Sequence, residues 1–124
     1  MDAKGKRPRV EAYLPLTPVM FEILLALSDA QRHGYGILQE VAQQTQGRVR
    51  LRPGTLYRAI QRMLAAGLIH ESEARPDPEQ DDERRRYYGL TALGHKVVRA
   101  EAERLVSLVD AARAKRLLGS AEGA

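Results

Sequence analysis

The apolar positions of this chain change period along its length, and each change marks an element. After Thr17-Pro18, a hydroxyl residue followed by proline, the run Val19, Phe21, Ile23, Leu24, Leu25 and Leu27 predicts a helix opening at Pro18. It is apolar around much of its circumference, so burial on more than one side is expected, and it should end by Ser28 to Gln31. His33-Gly34-Tyr35-Gly36-Ile37 reads as a glycine-punctuated turn into a second helix from about Tyr35 to Gln44. That helix turns Ile37, Leu38, Val41 and Ala42 inward, and Gly47 breaks it. Val49-Arg50-Leu51 reads as a very short strand. Leu56, Ile60, Met63 and Leu64 then form a helical stripe between Pro53-Gly54 at the start and Gly67 at the stop. From Leu68 to Glu73 the pattern alternates as a strand, and Arg86-Tyr87-Tyr88-Gly89-Leu90 reads as its returning partner. Tyr87 and Tyr88 should split across the two faces of that strand, one entering the core. The polar, proline-bearing stretch from Arg75 to Glu83 predicts a long hairpin tip.

Thr91 is placed to cap a final helix running to about Leu118. Along it Val98, Ala102, Leu105, Val109 and Ala112 recur at four-three spacing, a coiled-coil-like seam, and Val97, Val106 and Leu108 widen the apolar surface. The seam predicts a dimerisation helix; the alternative is a helix packed only on its own domain. The element order is helix, helix, short strand, helix, strand, wing, strand, long helix. It predicts a mainly α chain with a small β-hairpin: a winged helix-turn-helix plus a long C-terminal dimerisation helix. The expected division is a loose basic N-terminal arm over 1–12, a winged helix-turn-helix over 13–90, the C-terminal helix over 91–118, and a disordered tail over 119–124.

Composition narrows the class. At 124 residues, 44% hydrophobic and 29% charged, the chain suits one small folded domain with a modest core. There are no cysteines, and His33, His70 and His95 are too scattered for a zinc cluster, so no metal or cofactor is implied. No apolar run approaches the roughly 18 residues of a membrane span, and no signal peptide is visible, so a cytoplasmic location is expected. No Ser/His/Asp arrangement, paired carboxylates or phosphate-binding glycine loop argues for an enzyme.

The net charge of +4 is segregated. From Arg48 to Arg62 five arginines (48, 50, 52, 58 and 62) occur with no acid; Arg84-Arg85-Arg86 form a second group, and Lys4, Lys6, Arg7 and Arg9 a third. Acids gather instead in Asp77 to Glu83 and in the C-terminal segment. Segregation of this kind suggests a polyanion partner, although a solvated surface is the plainer account. The third helix gives it direction. Opposite its apolar stripe lie Thr55, Arg58, Gln61 and Arg62, groups that bond phosphates and base edges, which suits a DNA recognition helix.

Three signatures in order, His33-Gly34-Tyr35-Gly36-Ile37, Pro53-Gly54-Thr55-Leu56-Tyr57-Arg58, and Arg86-Tyr87-Tyr88-Gly89-Leu90-Thr91 with Gly94, make the chain resemble the PadR family of bacterial transcriptional regulators. The resemblance spans roughly Leu16 to Lys115, and the length is similar to the short subgroup that ends in a single dimerising helix. It implies a homodimeric repressor of a pseudo-palindromic double-stranded DNA operator, with a small aromatic effector as a further partner. The chain departs from the family in its acidic wing insert, Asp77 to Glu83, and in having no tryptophan, on which some relatives stack flat drugs. A winged-helix protein-interaction module without specific DNA binding is the competing reading.

Candidate roles follow. Thr55, in the first turn of the recognition helix, can hold a phosphate with the backbone N–H groups there, or can simply cap the helix. Tyr57 is a DNA contact by resemblance, or else a half-buried core tyrosine. Arg58 and Arg62 share one face and can pair with guanine O6 and N7 or with phosphate; Gln61 can read adenine or be a plain exposed glutamine. Tyr35 should touch the DNA backbone, its alternative being turn packing. Arg84, Arg85 and Arg86 alternate sides on a strand and either reach the minor groove and its phosphates or neutralise the acidic loop. An effector pocket between the first and last helices would draw on Tyr13, Met20 and Phe21, which core packing explains better.

Overall fold

The structure, a computed structural model, describes residues 9–72 and 86–119. A 3-10 turn at Val10–Tyr13 leads into four helices, α1 (Pro18–Ala26), α2 (Gly34–Gln44), α3 (Pro53–Ala65) and α4 (Ala92–Ala114), and three strands, β1 (Arg32–His33), β2 (Ile69–Ser72) and β3 (Tyr87–Leu90). Of the arm expected over 1–12, residues 1–8 lie outside the described residues, while its end enters the 3-10 turn Val10–Tyr13. The acidic wing tip also lies outside the described residues.

The capping chemistry falls where the sequence places it in two helices. Thr17 Oγ1 accepts from the Met20 N–H at 3.1 Å ahead of Pro18, and Thr91 Oγ1 accepts from the Gly94 N–H at 2.9 Å. The start of α2 differs from expectation. It begins at Gly34, one residue early, because His33 is its cap: the ring Nδ1 accepts from the Gly36 N–H at 3.0 Å. α3 alone of the four has no side-chain cap; its N-cap is Arg52, with Pro53 at the first helical position. It ends as the sequence predicts, with Gly67 at φ +78° and the Leu68 N–H bonded back to the Met63 carbonyl at 2.9 Å, a Schellman closure.

The sheet corrects the reading of Val49-Arg50-Leu51, which carries no strand. The short strand lies earlier, at Arg32–His33, and the sheet has three strands in the antiparallel order β1-β3-β2. Arg32 faces Tyr88 and His33 faces Tyr87, while β2 pairs Ile69 with Leu90 and Ser72 with Tyr87. A two-residue strand has no period to detect. Its position is fixed by Arg32, whose Nε donates to the Ala26 carbonyl at 2.8 Å and whose Nη2 meets Asp29 at 3.1 Å and Glu40 at 3.5 Å, pinning the chain between α1 and α2. Tyr87 and Tyr88 divide as expected, one of them entering the main core, but both are buried. Tyr88 joins the main core, while Tyr87 takes the edge of the His33 ring, centroids 5.3 Å apart.

One core unites the elements. Ile23, Leu24 and Ala26 of α1, Ile37 and Val41 of α2, Leu56, Ala59, Ile60 and Met63 of α3, Leu68 and Ile69, and Val97 and Val98 of α4 form a single buried cluster. Of the expected inward positions, Leu38, Ala42 and Leu64 are only half-buried, and Ala59 takes a core place instead. The exit of α3 and the entry of α4 are locked together. The Thr91 hydroxyl donates to the Gly67 carbonyl at 2.6 Å, and the Thr91 N–H donates to the Leu68 carbonyl at 3.1 Å. A Cβ on Gly94 would run into that same Leu68 oxygen, so glycine sets how closely the two helices approach. No helix among the described residues is long and apolar enough to cross a membrane.

Candidate nucleic-acid interface

The two faces of α3 separate cleanly. Leu56, Ile60 and Met63 are fully buried and Ala59 nearly so, which anchors the helix along one side. Gly54, Tyr57, Arg58, Gln61 and Arg62 are exposed, and Thr55 is half-buried at the edge. With 3.6 residues per turn, Arg58, Gln61 and Arg62 project together, opposite the stripe. None of these three makes an ion pair or side-chain hydrogen bond with a described residue, and neither do Arg48, Arg50 and Arg52 in the loop before the helix. The first turn adds a second electropositive feature: without a side-chain cap, its N–H groups and the helix dipole face outward beside Thr55.

Tyr57 and Tyr35 flank this face on the α2 side. Tyr57 is 46% exposed, and its ring stands directly over Gly34, where any Cβ would meet its hydroxyl. Tyr35, 62% exposed in the first turn of α2, stacks on His33 with centroids 6.5 Å apart and planes 10° from parallel. The glycines of the first signature therefore have distinct uses: Gly34 makes room for Tyr57, and the Gly36 N–H bonds the capping His33. The sequence places His33 in the glycine-punctuated turn and the first signature but assigns it no capping role. The signal that could have found its role is its position one residue before a glycine-opened helix. Burial raises the Tyr88 hydroxyl pKa, with Glu71 and Tyr57 adding to the effect, so this tyrosine stays neutral.

Of the three wing arginines, Arg86 lies among the described residues. Arg84 and Arg85 lie outside the described residues. Arg86 is exposed at the base of β3, and its Nη1 meets Glu71 of β2 at 3.2 Å. Tyr13 and Phe21 are half-buried against the core, while Met20 lines a groove between α1 and α3.

The α4 seam divides in two. Val98 is buried in this chain's own core, and Ala102 and Leu105 are half-buried. Beyond them Val106 (58%), Leu108 (55%) and Val109 (40%) are exposed, with Ala112 half-buried among them. Glu101, on the inner side, went unnoticed in the sequence. It is 1% exposed, its Oε2 accepts from the Leu16 N–H at 3.1 Å, and Arg104 Nε and Nη2 donate to its two oxygens at 2.7 and 2.9 Å. The Arg104 hydrogen bonds lower its pKa, burial opposes them, and the Leu16 N–H lowers it further. The signal available was an acid on the Val97–Val98 face with an arginine three residues on.

Comparison with known proteins agrees with this architecture. A Clostridium difficile PadR family transcription regulator of known structure superposes with a TM-score of 0.61 at 27% identity, over 82% of this chain and 98% of that one. Bacillus subtilis PadR, solved in complex with operator DNA, superposes with a TM-score of 0.56 at 16% identity, over 69% of this chain and 47% of that one. An uncharacterized Lysinibacillus sphaericus protein is 33% identical over 72 residues, 58% of this chain. The chain spans 63% of the length of that relative. Residues 23–100 match the transcriptional regulator PadR-like family, a span well over half of the chain. The chain therefore belongs to the PadR-like family, whose members are transcriptional regulators and not enzymes.

Proposed function

We propose that the chain is a sequence-specific double-stranded DNA-binding regulator, acting as a homodimeric repressor that a small aromatic effector releases. The observation that carries this is the α3 face: arginines with no partner among the described residues, beside an amide side chain and a helix start with no side-chain cap, and no acid from Arg48 to Arg62. Arg58, Gln61 and Arg62 enter the major groove, where guanidinium and amide groups match the edges of guanine and adenine. Thr55 and the first-turn N–H groups of α3 hold a phosphate, and Tyr35 and Tyr57 reach the backbone from the α2 side. Arg48, Arg50 and Arg52 add sequence-independent, salt-dependent attraction. Bacillus subtilis PadR, which has the same fold, was solved in complex with operator DNA, in keeping with a DNA partner here.

Pairing follows from α4. The exposed Val106, Leu108 and Val109 lie where a second copy would cover them, continuing the seam from Leu105 to Ala112. A two-fold dimer presents two α3 helices to half-sites about 10 base pairs apart, or a small multiple of that. The test is a salt-controlled titration of the chain's own promoter against random DNA, with mass measured in solution. Specific binding by a dimer is expected. Equal affinity for both DNAs would instead favour the protein-interaction module, and a monomer that binds specifically would remove the role given to α4. Effector release is tested by thermal-shift screening of aromatic compounds, a real ligand raising Tm in a concentration-dependent way.

A further inference from the structure

Between the first turn of α1 and the DNA-facing side of α3 lies a groove of about 180 Å³, lined by Thr17, Val19, Met20, Thr55, Arg58, Ala59 and Arg62. Its chemistry is two-sided. Ala59, 8% exposed, and the half-buried Val19 and Met20 make an apolar floor and wall. Arg58 and Arg62, both exposed, add two positive charges to the lining, no acid lines it, and neither arginine pairs with a described residue. Thr17 Oγ1 accepts from the Met20 N–H, which leaves the hydroxyl proton to donate. Cations alone would describe a phosphate grip, and an apolar wall alone would describe imperfect packing. The combination, in a volume suited to one ring or a short hydrocarbon chain, selects an amphipathic anion.

We propose that this groove binds a small monocarboxylate with a compact apolar body, and that the bound carboxylate competes with DNA for Arg58 and Arg62. The apolar body lies on Val19, Met20 and Ala59 and on the aliphatic stems of the two arginines. The carboxylate takes a bidentate pair from a guanidinium and a hydrogen bond from Thr17. Release from DNA then needs no movement of α4, because ligand and operator require the same side chains. The competitive half of the proposal rests on the DNA reading above; the binding half does not.

The test uses the full-length chain labelled with 15N, first without DNA. Benzoate and hexanoate are the probes, with acetate (no apolar body), benzyl alcohol (no charge) and inorganic phosphate as controls. Saturable amide shifts at Thr17, Met20 and Ala59 are expected from both probes, with half-saturation on the order of a millimolar, and at least about fivefold weaker responses from every control. Val19→Phe, which fills the groove from a half-buried position, should abolish the shifts, with Arg62→Ala as a second variant that leaves the floor intact and removes one cation. Operator titration then gives the second readout. At a probe concentration ten times its half-saturation, the DNA midpoint should rise about tenfold. Phosphate matching benzoate, benzyl alcohol matching it, or shifts centred elsewhere would each overturn the binding site. Groove binding with an unmoved DNA midpoint would overturn competition. Failure to bind operator with no probe present sinks the DNA reading and with it competition, while the amide shifts still decide whether the groove is a site.

Discussion

Helices α3 and α4 are both amphipathic and both carry arginines, yet they treat charge in opposite ways. On α4, Arg104 closes on the buried Glu101 and Arg113 lies 3.7 Å from Asp110. On α3, Arg58 and Arg62 have no partner among the described residues. The starts differ in the same sense, Thr91 capping α4 while nothing caps α3 with a side chain. A paired charge or a filled cap answers a demand within the fold. Cations without a partner among the described residues, beside a helix start with no side-chain cap, are what the proposed DNA-binding role of α3 rests on. Arg32 makes the same point from the other side: held by Ala26, Asp29 and Glu40, it is a fold residue despite lying next to the candidate interface.

The largest effect should come from the double variant Arg58→Ala with Arg62→Ala. Each lost contact is worth about 1–3 kcal/mol in DNA affinity, so operator binding should weaken at least about thirtyfold. Tm should hardly move, because neither side chain has a described partner to lose. Binding and melting measured on one sample check both halves. Loss of stability equal to the loss of binding would erase the contrast between the two helices.

Gly94→Ala follows, read in stability alone. Its new Cβ meets the Leu68 carbonyl, which is backbone and is already held by the Thr91 N–H. A cost of about 3 kcal/mol is expected, measured by denaturant midpoint at unchanged slope. Removing Glu101 tests the paired helix more directly. Glu101→Ala leaves the Leu16 N–H without its acceptor in a buried place, a loss of about 2 kcal/mol. The pH dependence has a definite sign. The folded pKa of Glu101 lies below the ordinary 4.5, so its ionised form contributes stability at pH above 4.5 and loses it as pH falls through the folded value. The stability gap between the wild type and Glu101→Gln should stay level from neutral pH down to about 5 and narrow below 4.5. A gap that widens in acid would refute the assignment.

Much of the frame was legible because it rests on periodicity and caps, which are local. Thr17-Pro18, the stripe of α3, Gly67 and Thr91 each state their structure within a few residues. What escaped rests on contacts between distant segments. β1 is two residues long and exists because β3 pairs with it some 55 positions later; Glu101 is buried because the chain near Leu16 folds over it, 85 positions away. The division of Tyr87 and Tyr88 follows from strand alternation, but that Tyr87 is also buried, beside His33 of β1, could not be read from β3 alone. Of the site, the composition of the α3 face could be read directly. That Arg58 and Arg62 also border a groove with α1 could not, since no pattern in either helix reports its neighbour.

The smallest effect, and the sharpest test of pairing as a criterion, belongs to Arg86. It comes from an arginine-rich signature and sits at the base of the wing, so composition alone would rank it with Arg58. Its Nη1 instead meets Glu71 at 3.2 Å on the neighbouring strand, both partners being well exposed. A solvated pair of this kind contributes about 0–1 kcal/mol to the fold, and a guanidinium already facing a carboxylate gains less from a phosphate than an unpaired one does. Arg86→Ala should therefore change operator affinity less than about threefold, under 1 kcal/mol, with Tm nearly unchanged. Glu71→Gln supplies the complementary arm: by freeing Arg86 it should tighten DNA binding slightly at low salt, a gain that disappears as salt screens the exposed charge. If Arg86→Ala weakens binding as much as either α3 arginine, an ion pair within the chain does not separate fold residues from interface residues, and the wing base joins α3 as part of the binding surface.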